Sequence, residues 1–151
     1  MLNEEVKKYI HKSVLCWLAT TDTDNFPNVS PKEVFTYSEH NTLLIAHIAS
    51  PQSIKNIKQN NKVCVSFVDV LVQKGYKLKG LAQVYEKTHS LFLEKAKPLL
   101  EIATERFPVL AVIEIDILKV EKIIAPSYWL YPETTTEIGQ IESAKKSYRI
   151  D

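Results

Sequence analysis

Two stretches of the chain gather side chains that could hold an anion. Between Pro51 and Gly80, six lysines (Lys55, Lys58, Lys62, Lys74, Lys77 and Lys79) stand against one acid, Asp69, in a chain whose formal net charge is only +1. At the head of this window Ser50-Pro51 reads as an N-cap followed by proline at the first helical position, with Ile54 and Ile57 spaced i, i+3 behind it. A helix starting there offers free backbone N–H groups and the positive end of its dipole, a combination that suits a small phosphate. The same lysines can equally be the solvated face of a strand and a helix. The second stretch is Ser30-Pro31-Lys32-Glu33. Proline cannot donate to a sheet ladder, so Pro31 marks an edge or a bulge where backbone groups are left to meet a ligand, and strand periodicity puts Ser30 and Lys32 on one face. A plain edge strand is the alternative.

Other chemistries lack their residues. The glycines are three, Gly75, Gly80 and Gly139, so neither a phosphate-binding P-loop nor a GxGxxG turn can be written. CxxC, HExxH and GxSxG are absent, and His11, His40, His47 and His89 are scattered without ligand spacing, so no metal site is expected. Cys16 and Cys64 lie in apolar, strand-like runs and read as reduced core residues.

The elements that must position these groups follow from periodicity. The 151 residues are 45% hydrophobic and 25% charged, which suits one domain over 1–151; such a chain buries roughly 70% of its unfolded surface. Asn3 caps a short amphipathic helix with Val6, Tyr9 and Ile10 on its apolar stripe. Strands are predicted from Val14 to Thr21, where Trp17 is expected in the core, from about Val29 to Tyr37, and from Thr42 to Ile48, separated by clusters of turn formers. After the short helix come two more strands, Lys62 to Val70 and Tyr76 to Tyr85. A helix follows between His89 and Phe107, stopping before Pro108, and then a long alternating strand from Ala111 to Ala125. The tail from Pro126 holds Tyr128, Trp129 and Tyr131 and a polar stretch that could form a last surface helix. The order predicts a mainly β fold: an antiparallel, closed or nearly closed barrel with helices at its openings.

The acidic N-terminus, Met1-Leu2-Asn3-Glu4-Glu5, is unlike a signal peptide and no apolar run reaches a membrane span, so the expected location is the cytoplasm, with no membrane partner. Nucleic acid is not expected either, because lysines without interleaved exposed aromatics lack stacking platforms.

The succession Phe26-Pro27-Asn28-Val29-Ser30-Pro31-Lys32, then Ala46-His47-Ile48-Ala49-Ser50-Pro51-Gln52-Ser53-Ile54-Lys55-Asn56-Ile57, then Asn60-Asn61-Lys62-Val63 and Leu78-Lys79-Gly80-Leu81-Ala82, resembles the pyridoxamine 5′-phosphate oxidase-like superfamily of flavin-binding split barrels. The likeness runs through about 14–125, leaving 126–151 as a tail. It implies a six-stranded antiparallel split β-barrel with peripheral helices, a homodimer, and FMN in clefts between the subunits. Carried over by position, it implies cofactor contacts from Ser30, Lys32 and Glu33, from His47, Ile48, Gln52 and Ser53, and from Lys77, with Trp129 either covering a flavin ring across the subunit boundary or anchoring the tail. It further implies an oxidoreductase that passes electrons from a small donor, with reduced nicotinamide a candidate, to a small acceptor. The alternative is a non-catalytic holder of flavin, haem or another cofactor on the same barrel. Pyridoxamine phosphate oxidation itself is not expected: Ser30 and Gln52-Ser53 stand where those oxidases carry basic residues, the arginines are two, Arg106 and Arg149, and the oxidases' C-terminal segment has no counterpart.

Overall fold

The computed structural model describes residues 2–151. Asn3 caps α1 (Glu4–Lys12), its side chain accepting the Val6 N–H at 2.9 Å, and Val6, Tyr9 and Ile10 are buried. Then follow β1 (Cys16–Thr21), β2 (Pro27–Lys32), β3 (Phe35–Tyr37), β4 (Thr42–His47), α2 (Pro51–Gln59), β5 (Lys62–Asp69), β6 (Lys74–Glu86), α3 (Phe92–Ala103), β7 (Ala111–Ile124), α4 (Ser127–Leu130) and α5 (Glu137–Tyr148). The strands form one antiparallel sheet in the order β2-β1-β5-β6-β7-β4-β3. No helix among the described residues is long and apolar enough to cross a membrane.

The sheet curls because one face of nearly every strand feeds a single core. Leu18, Val65, Phe67, Leu78, Ile115 and Ile45 belong to it, and α1 closes it with Val6 and Ile10. A second cluster packs α3, through Phe92, Ala96 and Leu99, on the outside of β4, β6 and β7. As a result β4 is buried on both faces along its length: Leu43 and Ile45 point into the barrel, Leu44 and Ala46 toward α3. Proline stands inside α3 at Pro98, and the helix ends at Ala103, where Thr104 turns the chain at φ 58°, several residues before the predicted stop.

Seven strands replace the expected six, because the run predicted from Val29 to Tyr37 is two strands. Pro31 has no N–H to extend a ladder on its free side, and β2 stops at Lys32. The next residues, Glu33 and Val34, carry the chain to the other edge of the sheet, where the Val34 carbonyl accepts the Ala46 N–H at 2.9 Å and β3 begins. β2 and β3 are thus the two edges of one sheet, joined by two residues, and this seam is the split in the barrel.

Trp17 and Cys64 are not core residues. Cys16 and Leu18 point inward at 0% exposure, so period-2 alternation turns Trp17 outward, 45% exposed; Val63 and Val65 do the same to Cys64. Cys16 is the buried thiol, and desolvation pushes its pKa up to about 12. Iodoacetamide is therefore expected to leave Cys16 unmodified in the native protein and to alkylate it fully in denaturant, as peptide mass spectrometry would show; native labelling would contradict this burial.

Candidate functional site

The seam brings together β2, the end of β4 and the start of α2. Ser50 occupies the N-cap position of α2, but its hydroxyl does not cap the helix; its Oγ lies 3.0 Å from Ser30 Oγ on β2. Pro51 follows at the first helical position, so the helix opens with uncapped N–H groups aimed past Ser50. The Ser50 N–H donates to His47 Nδ1 at 3.4 Å, which makes that nitrogen an acceptor. Ser53, on the first turn, is completely buried and its Oγ has no hydrogen-bond partner among the described residues.

A polar chain fixes this helix to the sheet. Gln52 Nε2 donates to Asn56 Oδ1 at 2.7 Å, and Thr20 Oγ1 accepts from both Asn56 Nδ2, at 3.0 Å, and Asn28 Nδ2, at 3.3 Å. Helix periodicity explains the first link, since Gln52 and Asn56 are four apart; strand pairing explains the last, since Thr20 stands opposite Asn28.

Beside it lies a cavity of ≈ 200 Å³. Lys32 lines it together with Val34, Ala46, Ile48, Ser50 and Phe107, and Glu33 sits exposed at its rim. Lys32 is 5% exposed, and burial holds its pKa below the usual lysine value. The thiol of Cys16 is the one ionisable neighbour that favours its charged form. His47 is held low first by burial and then by the charge of Lys32. Alternation along β4 turns the imidazole away from this cavity, into a neighbouring one of ≈ 330 Å³ that it shares with Ile54, Glu86 and Thr88.

Of the residues singled out from sequence, the fold gathers Ser30, Lys32, Glu33, His47, Ile48, Gln52 and Ser53 around the seam. Lys77 and Trp129 are elsewhere in the protomer. Lys77 stands on β6, with β1 and β5 between it and β2, and shares the Glu121 carboxylate (3.8 Å) with Lys79 (3.3 Å) and Lys119 (3.1 Å). Trp129 lies on α4, 64% exposed, while its neighbour Tyr128 anchors the tail by donating to the Val72 carbonyl at 2.9 Å beneath Lys74. Phe107, Thr20 and Asn56 were not among the expected residues. The i, i+4 pair Gln52 and Asn56 was a readable signal; nothing local marks Phe107, which reaches the cavity from the loop after α3.

A curled antiparallel sheet split between β2 and β3, with a helix start and polar side chains at the split, defines the class of split β-barrel proteins. Within that class the match is specific: the family described as Pyridoxamine 5′-phosphate oxidase matches residues 2–123, and the chain belongs to this family. Among solved structures, HupZ of Group A Streptococcus is 26% identical, with a TM-score of 0.67 over 80% of this chain and 92% of that one. An FMN-binding protein from Syntrophomonas wolfei subsp. wolfei shares the fold at 16% identity, with a TM-score of 0.68 over 81% and 86% of the two chains. An F420 reductase does so at 18% identity and a TM-score of 0.59, over 80% and 98%. Comparison with curated protein sequences finds no match.

Proposed function

We propose that this protein binds FMN at the seam and is an oxidoreductase related to pyridoxamine 5′-phosphate oxidase without being that enzyme. The observation that carries the reading is the uncapped start of α2 beside the Ser30–Ser50 pair, with the buried Ser53 hydroxyl, which has no partner among the described residues, on its first turn. Buried polar atoms ordinarily have partners, and hydroxyls with N–H groups at the positive end of a helix fit a phosphate monoester. The family and the FMN-binding neighbour support the same ligand.

FMN, when bound, supplies reversible hydride acceptance. The chain's own part is positional. Ser30, Ser50 and Ser53 with the α2 N–H groups hold the phosphate, and Gln52, tied to Asn56, fixes the helix that carries them. The Ala46–Ile48 strand end and Pro31 wall the ring, and Lys32 places a positive charge at the floor. Reduced nicotinamide as donor and a small molecule as acceptor complete the reaction.

A second copy of the chain completes the cleft in this reading. Ligands of cofactor size occupy about 300–1,000 Å³, more than the ≈ 200 Å³ cavity beside Lys32. The outer face of β1 and β2 carries Trp17 and Val29, 45% and 57% exposed, an apolar surface suited to association. Lys77 and Trp129 then have a route to a cofactor through the partner's cleft. The lack of arginine at the seam favours the second reading, a non-catalytic holder of flavin, haem or another cofactor.

The test is the visible spectrum of the protein mixed with FMN and desalted. A retained two-band flavin spectrum with one flavin per chain is expected. Ser53→Asp, which sets a carboxylate against the phosphate, should weaken retention at least about ten-fold, and Ser30→Ala should do so several-fold. A protein that stays colourless rejects the flavin reading; bound flavin that no nicotinamide reduces favours the holder.

A further inference from the structure

We infer that the outer face of the sheet carries a second ligand site, separate from the seam, and that it takes a single-chain amphiphile with an anionic head, an unbranched alkyl carboxylate of about ten carbons.

The site is a cavity of ≈ 380 Å³ that crosses β1, β5 and β6, with Pro27 of β2 at one end and Leu118 of β7 at the other. Strand pairing sets it apart from the seam. Cys16, Leu18 and Thr20 stand opposite Lys32, Ser30 and Asn28 on one face, whereas Trp17, Ala19 and Thr21 stand opposite Pro31, Val29 and Pro27 on the other. Ala19, Thr21 and Pro27 line the cavity, so it opens on the face away from the Ser30 hydroxyl and the Lys32 amine, and at the far end of the β1–β2 pair from Lys32.

A β-bulge makes its apolar wall. Lys79 pairs with Lys119 and Gly80 with Ile117, so Leu118 is left over between them and is pushed out, 71% exposed. Leu118 and Leu81 then face Ala19 and Pro27 across β5, and Gly80 adds no side chain to fill the space between. The volume falls in the range of about 300–1,000 Å³ that small-molecule sites take. From β2 to β6 is three strand spacings, about 14 Å, the reach of an extended chain of about ten carbons.

Charge sets the head group. Lys62 and Lys79 line the cavity, and Lys77 and Lys119 stand on the same face, against the carboxylates of Glu121 and Asp116. Glu121 is already shared by Lys77, Lys79 and Lys119, and Lys62 has no carboxylate partner among the described residues. The surplus of amines favours an anion and repels an alkylamine. A hydrated inorganic anion gains nothing from the leucine wall, and a nucleotide would set its polar sugar against it. The amines and the apolar trough together specify both halves of the ligand.

Cys64 reports occupancy. Its half-buried thiol stands between Ala19 and Lys79 in the cavity, while Cys16 is buried. The test is the rate at which a maleimide alkylates Cys64 in the native protein, with and without FMN, as decanoate, octanoate or decanol is added below the concentration at which each aggregates. Decanoate is expected to slow alkylation at least about ten-fold at saturation, equally with and without FMN because the two sites lie on opposite faces. It should bind about four- to fifteen-fold more tightly than octanoate, the effect of burying two more methylenes partly or fully. It should bind about five- to ten-fold more tightly than decanol, a preference that shrinks as salt is raised. Leu118→Asp should abolish protection, and Lys62→Glu should erase the preference for decanoate over decanol. Decanoate that leaves the rate unchanged, or protects no better than decanol, overturns the inference. Protection by FMN but not by decanoate overturns it by assigning the cavity to the cofactor. The cavity borders the Trp17–Val29 face, so Cys64 that reacts only after denaturation overturns it as well, by showing that a second copy covers the groove. The series on the parent protein needs no variant, so a misfolded Leu118→Asp leaves the test intact.

Discussion

Gly80→Ala is expected to destabilise the protein by about 3–5 kcal/mol, lowering its melting temperature by on the order of 10 °C. Gly80 sits where the pairing of β6 and β7 shifts register, between Lys79 and Gly80. A Cβ there would lie 2.1 Å from the Asp116 carbonyl oxygen and 2.9 Å from Ile115 Cγ2. The first of these atoms is backbone in the longest strand pair of the sheet, so it cannot swing away as a side chain would; relief requires the strands to part at the irregularity. Gly139 offers the contrast within the same molecule. It lies in the first turn of α5, a Cβ would meet only Thr136 Oγ1 at 3.2 Å, and alanine is the better helix former, so Gly139→Ala should stay within about 1 kcal/mol of the parent. Thermal denaturation of both variants checks the pair. Equal stability in the two would mean that the β6–β7 contact yields more easily than its geometry indicates.

For the FMN-binding dimer proposed above, Trp17→Glu is expected to weaken self-association by at least about a hundred-fold and to abolish flavin retention with it, while leaving the protomer folded. The indole stands on the outer face of β1, opposite Pro31 and next to the groove lined by Val14, Val68 and Val70. Aromatic anchors at the centre of an interface carry about 2–4 kcal/mol each, and a carboxylate there adds the cost of burying a charge. The substitution leaves Cys16 and Leu18 in place, so circular dichroism should not change. Light scattering coupled to size exclusion, run beside the FMN retention assay, reads both effects. A variant that remains dimeric and yellow would remove this face from the interface, and a parent protein that is monomeric yet retains FMN would remove the partner subunit from the site.

The elements were legible in sequence wherever a local rule decided them. The Asn3 cap, the proline start of α2 and the alternation in β7 were each written in a few neighbouring residues. The seam was half legible. Pro31 announced an edge, but the continuing apolar pattern through Phe35 hid the departure of the chain to the far side of the sheet; that depends on which strand β4 recruits, a long-range choice. Trp17 failed for a different reason. Residue type argued for the core and periodicity argued against it, and periodicity won, because Cys16 and Leu18 already filled the inner face. At the site, Ser30, Lys32 and the α2 start were readable from spacing. Phe107 was not, since no pattern in the chain links a loop residue after α3 to a serine some sixty positions earlier. The separation of Lys77 from the seam is likewise a fact of strand order, visible only once β1 and β5 are seen to intervene.

The burial of β4 on both faces also bears on how the chain is made. This strand has only three-residue β3 as a partner among the residues synthesised before or soon after it; its main partner, β7, pairs through Ala111–Asp116, roughly seventy positions downstream. On the ribosome, Leu43, Leu44, Ile45 and Ala46 must therefore wait, with one long flank unpaired, while α2, β5, β6 and α3 are synthesised. A β-prone, uncharged segment held open in this way is the part of the nascent chain with most to gain from a chaperone, and a truncation that removes β7 would leave it exposed for good.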